Sequence, residues 1–169
     1  MGHRISAPKG AATRPTSDRV REAVFSTVGP VDGAAVIDLF AGSGAMGLEA
    51  LSRGAASCVF VERDREAARA IRTNLEKLRL TGAEVVTRDA AAWLRDQRER
   101  GRRYDLVLAD PPYDEWGEHE PVLATLLPAV LAEDAVLVVE TSDRVEPELP
   151  LDLVTTRRYG SARITVFSR

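Results

Sequence analysis

The sequence has a single cysteine, two histidines and no apolar run near the ~20 residues that a membrane-spanning helix needs. One cysteine excludes an internal disulfide and suits a reducing, cytoplasmic setting. That residue, Cys58, lies within "SCVFVE", where a thiol serves as a small core residue rather than a nucleophile. His3 and His119 are far apart, and no Cys/His spacing suggests zinc, so no metal is expected. The N-terminus lacks a signal-peptide apolar region. An excess of positive charge is missing too: the net charge is −3, which does not mark a nucleic-acid binder. Neither repeats nor a low-complexity linker interrupt the chain.

What is present is a chain of 169 residues, 44% hydrophobic and 29% charged, the size and balance of one globular domain, expected as a monomer. Its basic residues are clustered. Arg4, Lys9, Arg14, Arg19 and Arg21 face one acid, Asp18, within residues 1–21. "RDQRERGRR" (95–103) and "RRYGSAR" (157–163) form two further clusters. Scattered arginines are commonly a solvated face, so the clusters alone identify no partner.

Apolar runs alternate with helical patterns between residues 34 and 141. "AAVIDLF" (34–40), "SCVFVE" (57–62), "EVVTRD" (84–89), "YDLVLAD" (104–110) and "DAVLVVET" (134–141) read as strands. Between them, Ala67, Ile71, Leu75 and Leu78 recur at helical spacing, "AAAWLRDQRER" reads as a helix, and another is expected near 120–131, giving five βα repeats. Strands that are apolar throughout imply a parallel sheet covered on both faces. The ending differs: 152–160 and 162–168 are strands joined by Gly160-Ser161, too short for a parallel crossover, so they must form a hairpin. The expected fold is α/β, the class I methyltransferase (Rossmann-like) outline: a seven-stranded, mostly parallel sheet with a C-terminal antiparallel hairpin and helices on both faces. Residues 1–15, with Gly2, Pro8, Gly10 and Pro15, read as an extended basic arm ahead of a single domain, 16–169. A helix is expected from Thr16, which can cap it, with Val20, Val24 and Val28 as its apolar stripe. Trp93 and Trp116 read as packing residues.

"DLFAGSGAMG" carries Gly42, Gly44 and Gly47 between a strand and a helix, in the G-x-G-x-x-G pattern of a sharp turn that lets a ligand approach the backbone. Eighteen residues after Gly44, Glu62 closes the second strand, where a carboxylate can accept from both hydroxyls of an adenosine ribose. The pattern fits a nicotinamide dinucleotide or S-adenosylmethionine. Asp38, just ahead of the loop, suits a cationic amino-acid end better than a pyrophosphate and favours the second. Asp89 is placed either to accept from the adenine amino group or to cap the helix that follows it, and both roles are compatible. Phe40, Ala41, Ser43, Arg63 and Ala90 flank these positions and join the expected cofactor contacts.

"ADPPY" ends the fourth strand, and ligands in open α/β sheets bind outside the carboxyl ends of strands. Pro111 and Pro112 stiffen the turn. The Asp110 side chain and the Pro111 carbonyl can each accept an N–H from an amino group whose lone pair is delocalised into a ring or carbonyl, and so aim it at a sulfonium methyl. Tyr113 can stack on the flat base. Asp110 is the expected hydrogen-bond and proton acceptor, with most of the catalysis coming from in-line positioning. A base reaching such a pocket must be unpaired or flipped out. Glu140, at the end of the fifth strand, either touches the site or caps a loop.

Four segments, "ATRPTSDRVREAVF" (12–25), "DLFAGSGAMGLEALSRGA" (38–55), "VLADPPY" (107–113) and "RRYGSARITVF" (157–167), together resemble the RsmD-type methyltransferases. The resemblance runs from about residue 7 to the C-terminus. It implies S-adenosylmethionine as cofactor and methylation of a guanine N2 in the 16S RNA of the small ribosomal subunit or its assembly intermediate. It further implies Asp38, Gly42 and Gly44 at the methionine end, Glu62 on the ribose, Asp89 on the adenine, and Asp110 to Tyr113 on the amino group. Thr16 would lie near the methionine moiety. Members of the family usually begin with a longer basic hairpin, whereas only "MGHRISAPKG" precedes the match here: either the hairpin is missing or RNA docking relies on other surfaces. The same chemistry on adenine N6 or on a protein glutamine, and an NAD-dependent oxidoreductase, are the competing readings.

Overall fold

Five short runs of aliphatic residues set the architecture, because a strand apolar on both faces must be covered on both. In the computed structural model, which describes residues 17–169, these runs are β1 (Ala35–Leu39), β2 (Ser57–Val61), β3 (Ala83–Val86), β4 (Tyr104–Ala109) and β5 (Leu131–Ser142), all paired in parallel. β6 (Asp152–Tyr159) and β7 (Ala162–Ser168) form the expected hairpin, and β7 runs antiparallel along β5. The sheet order is β3-β2-β1-β4-β5-β7-β6. Strand order therefore reverses between β1 and β4, and the crevice at their carboxyl ends is where such sheets bind ligands.

Helices α1 (Asp18–Val28), α2 (Ala45–Ser52) and α3 (Arg65–Leu78) cover one face, and α4 (Ala90–Glu99) and α5 (Trp116–Val130) the other. The first core gathers Val24, Phe25, Leu48 and Ile71 over Val36, Phe60 and Leu108. The second gathers Trp93, Leu94, Trp116 and Leu127 over Ile37, Val107 and Leu137. Both tryptophans are buried packing residues, and Cys58 is fully buried with its thiol pushed well above the usual range by desolvation.

Two helix starts differ from the sequence reading. α1 is capped by Ser17, whose side chain accepts from the Val20 N–H at 3.3 Å; Thr16, the cap expected from the sequence, lies outside the described residues, as does the expected arm. α5 begins at Trp116 rather than near residue 120, because a 3₁₀ turn, Tyr113–Glu115, leads straight into it. β5 is followed by no helix. Residues 143–151, which lead from β5 to β6, are irregular, with Pro147 and Pro150 removing two N–H donors.

Candidate active site

Four strand ends and one glycine loop converge on a cavity of about 430 Å³, within the range typical of small-molecule sites. After β1 the chain turns through Phe40 at φ 57° and Gly42 at φ 56°. The left-handed region is free to glycine but costs a phenylalanine of order 1–2 kcal/mol, so the Phe40 conformation is held by its surroundings. Its ring packs against His119, centroid to centroid 4.7 Å. The loop closes on Gly44, itself left-handed at φ 78°, which starts α2 without a side-chain cap. Gly47 in the first turn lies so close to β2 that a Cβ there would sit 2.4 Å from the Phe60 ring and 2.8 Å from Cys58 Sγ.

The missing cap of α2 is supplied from β1. Asp38 is 3% exposed, and its Oδ2 accepts the Gly47 N–H at 2.9 Å. A carboxylate at a helix N-terminus is favoured electrostatically, yet desolvation outweighs that here. Burial foremost, countered by the Gly47 hydrogen bond and added to by the charge of Glu62, leaves the Asp38 carboxyl pushed up to about 8.

Glu62 is clamped between two loops. Its Oε2 accepts from Gly42 N at 2.8 Å and its Oε1 from Asp64 N at 2.9 Å, which fixes the carboxylate plane at the cavity wall. Asp89 caps α4, its Oδ1 accepting from Ala92 N at 2.9 Å, and the residue also lines the cavity. Arg63 reaches from the β2 end to Glu115, 2.9 Å away, and Glu115 also meets His119 Nε2 at 3.2 Å. The Arg63 hydrogen bond, then that of His119, holds the Glu115 carboxyl below its usual range. This chain of contacts links the β2 side of the cavity to the start of α5.

β4 ends at Ala109 and delivers Asp110 to the cavity. Pro111 is buried beneath the turn, while Pro112 and Tyr113 line the cavity. The Tyr113 hydroxyl donates to Glu140 Oε1 at 2.8 Å, so Glu140, at the end of β5, touches the site.

Of the expected residues, Asp38, Phe40, Ala41, Gly42, Ser43, Glu62, Arg63, Asp89, Ala90, Asp110, Pro112 and Tyr113 all line this one cavity. Gly44 and Pro111 do not; they are buried behind its wall and shape it through the backbone. Thr16 falls outside the described residues. Sequence reasoning missed His119, Met46 and Arg88, which also line the cavity. The Glu115/His119 spacing of four residues was legible as a helical pair, but only with α5 begun at Trp116 does it fall beside the DPPY turn. Among the described residues no cluster of metal-ligating side chains occurs.

The chain matches, over residues 1–168, the family described as Conserved hypothetical protein 95. It is 40% identical to YlbH of Bacillus subtilis (strain 168) over 175 residues, covering 99% of this chain and 94% of that one. It is 37% identical to ribosomal RNA small subunit methyltransferase D of Escherichia coli (strain K12), covering 88% of this chain and 73% of that one. The solved structure of yhhF from Escherichia coli superposes with a TM-score of 0.82 at 32% identity, covering 99% of this chain and 92% of that one. With the fold, the glycine loop and the DPPY turn all in place, this chain belongs to the Conserved hypothetical protein 95 family, the RsmD-type methyltransferases.

Proposed function

We propose that the protein transfers a methyl group from S-adenosylmethionine to the exocyclic N2 of a guanine in small-subunit ribosomal RNA. The observation that carries this is one cavity lined by both sets of residues, Asp38 and Glu62 for the cofactor and Asp110 and Tyr113 for the acceptor. The cavity residues fit the cofactor. A buried carboxyl beside a helix N-terminus is a ready partner for a cationic amino-acid end, and a clamped carboxylate for a ribose diol. When bound, S-adenosylmethionine supplies a sulfonium methyl that is already activated for nucleophilic attack.

The rest falls to the chain's own residues. Asp38 gives up its proton to face the positive end of the cofactor, Glu62 accepts from the ribose hydroxyls, and Asp89 accepts from the adenine amino group. Asp110 accepts one N–H of the target amino group and takes its proton as the nitrogen is alkylated, and the Pro111 carbonyl accepts the other. Tyr113 stacks on the flipped-out base and fixes its plane. In-line positioning of a poor nucleophile is the main source of rate. The protein acts as a monomer, without metal, in the cytoplasm on the small subunit or an assembly intermediate. The name of methyltransferase D, which specifies small-subunit ribosomal RNA, supports that acceptor.

The test is incubation with labelled S-adenosylmethionine and small subunits from cells lacking the modification, followed by nucleoside mass spectrometry. N2-methylguanosine is the expected product. Label in N6-methyladenosine or in protein would redirect the acceptor. No label under conditions where calorimetry shows S-adenosylhomocysteine bound would overturn the proposal, as would NAD binding in its place.

A further inference from the structure

The proposed transfer gives no task to Glu140, a carboxylate of the cavity beside Asp110. β4 and β5 pair with Ala109 opposite Val139, strands about 5 Å apart, so Asp110, the first residue after β4, follows beside Glu140 of β5. Both line the main cavity, and both line a small recess of about 20 Å³ beneath Val20 and Val24 of α1. The 2.8 Å bond from the Tyr113 hydroxyl ties Glu140 to the ring expected to carry the base. The acceptor that holds an amino group is thus flanked by a second acceptor, and the aromatic platform is joined to it.

We propose that Glu140 reads the base, its carboxylate accepting the N1–H of guanine beside the amino group held by Asp110. The inference rests on the guanine-N2 reading above and specifies how that site chooses its purine. Guanine presents two adjacent donors on its Watson–Crick edge, N1–H and the N2 amino group. An ionised carboxylate only accepts, with about four lone-pair sites, one of which the Tyr113 hydroxyl takes. A purine with a bare N1, such as adenine or 2-aminopurine, sets a lone pair against that carboxylate, so a donor pairing is lost and two acceptors face each other. Sites built to hydrogen-bond a substrate group reject analogues lacking it far more strongly than sites that discriminate by shape.

Glu140→Gln separates this role from simple support of Tyr113. The amide keeps an oxygen for the tyrosine hydroxyl, but it also brings an NH2 that repels N1–H and pairs with a bare N1. The substrates are small subunits reconstituted with RNA carrying either guanosine or 2-aminopurine riboside at the nucleotide the wild-type protein modifies. Wild type should prefer guanosine by about a hundredfold or more in kcat/KM. Glu140→Gln should lose at least about tenfold on guanosine and bring the ratio near or below one, with S-adenosylhomocysteine affinity and thermal melting unchanged. Glu140→Asp, which keeps the carboxylate, should keep the preference at reduced rate, and Tyr113→Phe should keep it too.

A wild-type ratio retained in Glu140→Gln overturns the assignment and reduces Glu140 to a support for Tyr113. Loss of the ratio in Tyr113→Phe alone does the same. Both results leave the guanine-N2 function standing, because wild type still methylates guanosine. Wild type that methylates no guanine sinks the function itself, and this inference with it.

Discussion

At the scale of single residues, Asp38 carries the sharpest consequence, because burial costs it its charge before any ligand arrives. An unfolded aspartate ionises near pH ~3.9, whereas this one is pushed up to about 8 in the folded protein. Between those values the native state holds a proton that the unfolded chain has released. Stability therefore falls as pH rises through that window and levels off above it. Asp38→Asn removes the penalty. Without ligand, the variant should melt above wild type at about pH 8–9, and the gap should close toward pH ~4. The same substitution should weaken S-adenosylmethionine binding at least about tenfold at pH 8, since it deletes the charge that faces a cation. Wild-type affinity should rise with pH up to about 8, with proton release visible as a buffer dependence of the calorimetric enthalpy. An affinity flat across that range would mean that Asp38 is not the cationic contact. Asp110→Ala should leave cofactor binding intact and cut kcat by about a hundredfold or more, the usual scale for a lost proton acceptor. Undiminished turnover in that variant would place the chemistry elsewhere.

At the scale of elements, α2 is the part most exposed to a single methyl group. It lies on β2 with Gly47 at the contact, and the Cβ of an alanine would need to displace the Phe60 ring and the Cys58 thiol. Gly47→Ala should cost about 1–3 kcal/mol in denaturant unfolding, the usual range for overpacking a tight core. Because the same turn carries the N–H that Asp38 accepts, cofactor affinity should fall with it. A Gly47→Ala variant as stable as wild type would show that α2 can lift without loss. At the start of α1, Ser17→Ala removes the hydrogen bond that its Oγ accepts from Val20 N–H and should cost about 1 kcal/mol. The Arg63–Glu115 pair is too exposed to contribute much stability, since surface ion pairs give roughly 0–1 kcal/mol. Its significance is its place, from the β2 side of the cavity to the start of the helix that follows the DPPY turn.

At the scale of the whole molecule, the sheet turns one basic end toward the site. β7 starts opposite Ser142, so the β6–β7 turn lies at the same edge of the sheet as the carboxyl ends of β1 to β5. The arginines of "RRYGSAR" divide there. Arg157 and Arg158 are exposed on the edge strand, whereas Arg163 is buried. The Arg163 guanidinium donates to Thr156 Oγ1 and to the Asp143 carbonyl and pairs with Glu146, which ties the irregular segment 143–151 to the hairpin. Replacing Arg157 and Arg158 by glutamate should weaken binding to small subunits and make it less salt-dependent, with S-adenosylhomocysteine affinity unchanged. Arg163→Ala should instead lower the melting temperature. Subunit binding unaltered by the double exchange would remove this edge from the RNA contact.

The alternation of apolar strands with helices, the hairpin forced by Gly160-Ser161, the glycine loop and the acids that end successive strands were all legible in the sequence. Each is a local pattern, set by side-chain period or by what a tight turn permits. The start of α5 was misjudged because a 3₁₀ turn carries no apolar period. What only the tertiary structure decided depends on which strands became neighbours. β4 lies between β1 and β5, and that alone brings Glu140 beside Asp110 and within reach of Tyr113, 27 residues away in the chain. The depth at which Asp38 is buried, the closeness of α2 to Phe60 and the arrival of His119 over Phe40 follow from the same packing. Burial and strand adjacency are properties of the assembled sheet, and no run of residues encodes them one segment at a time.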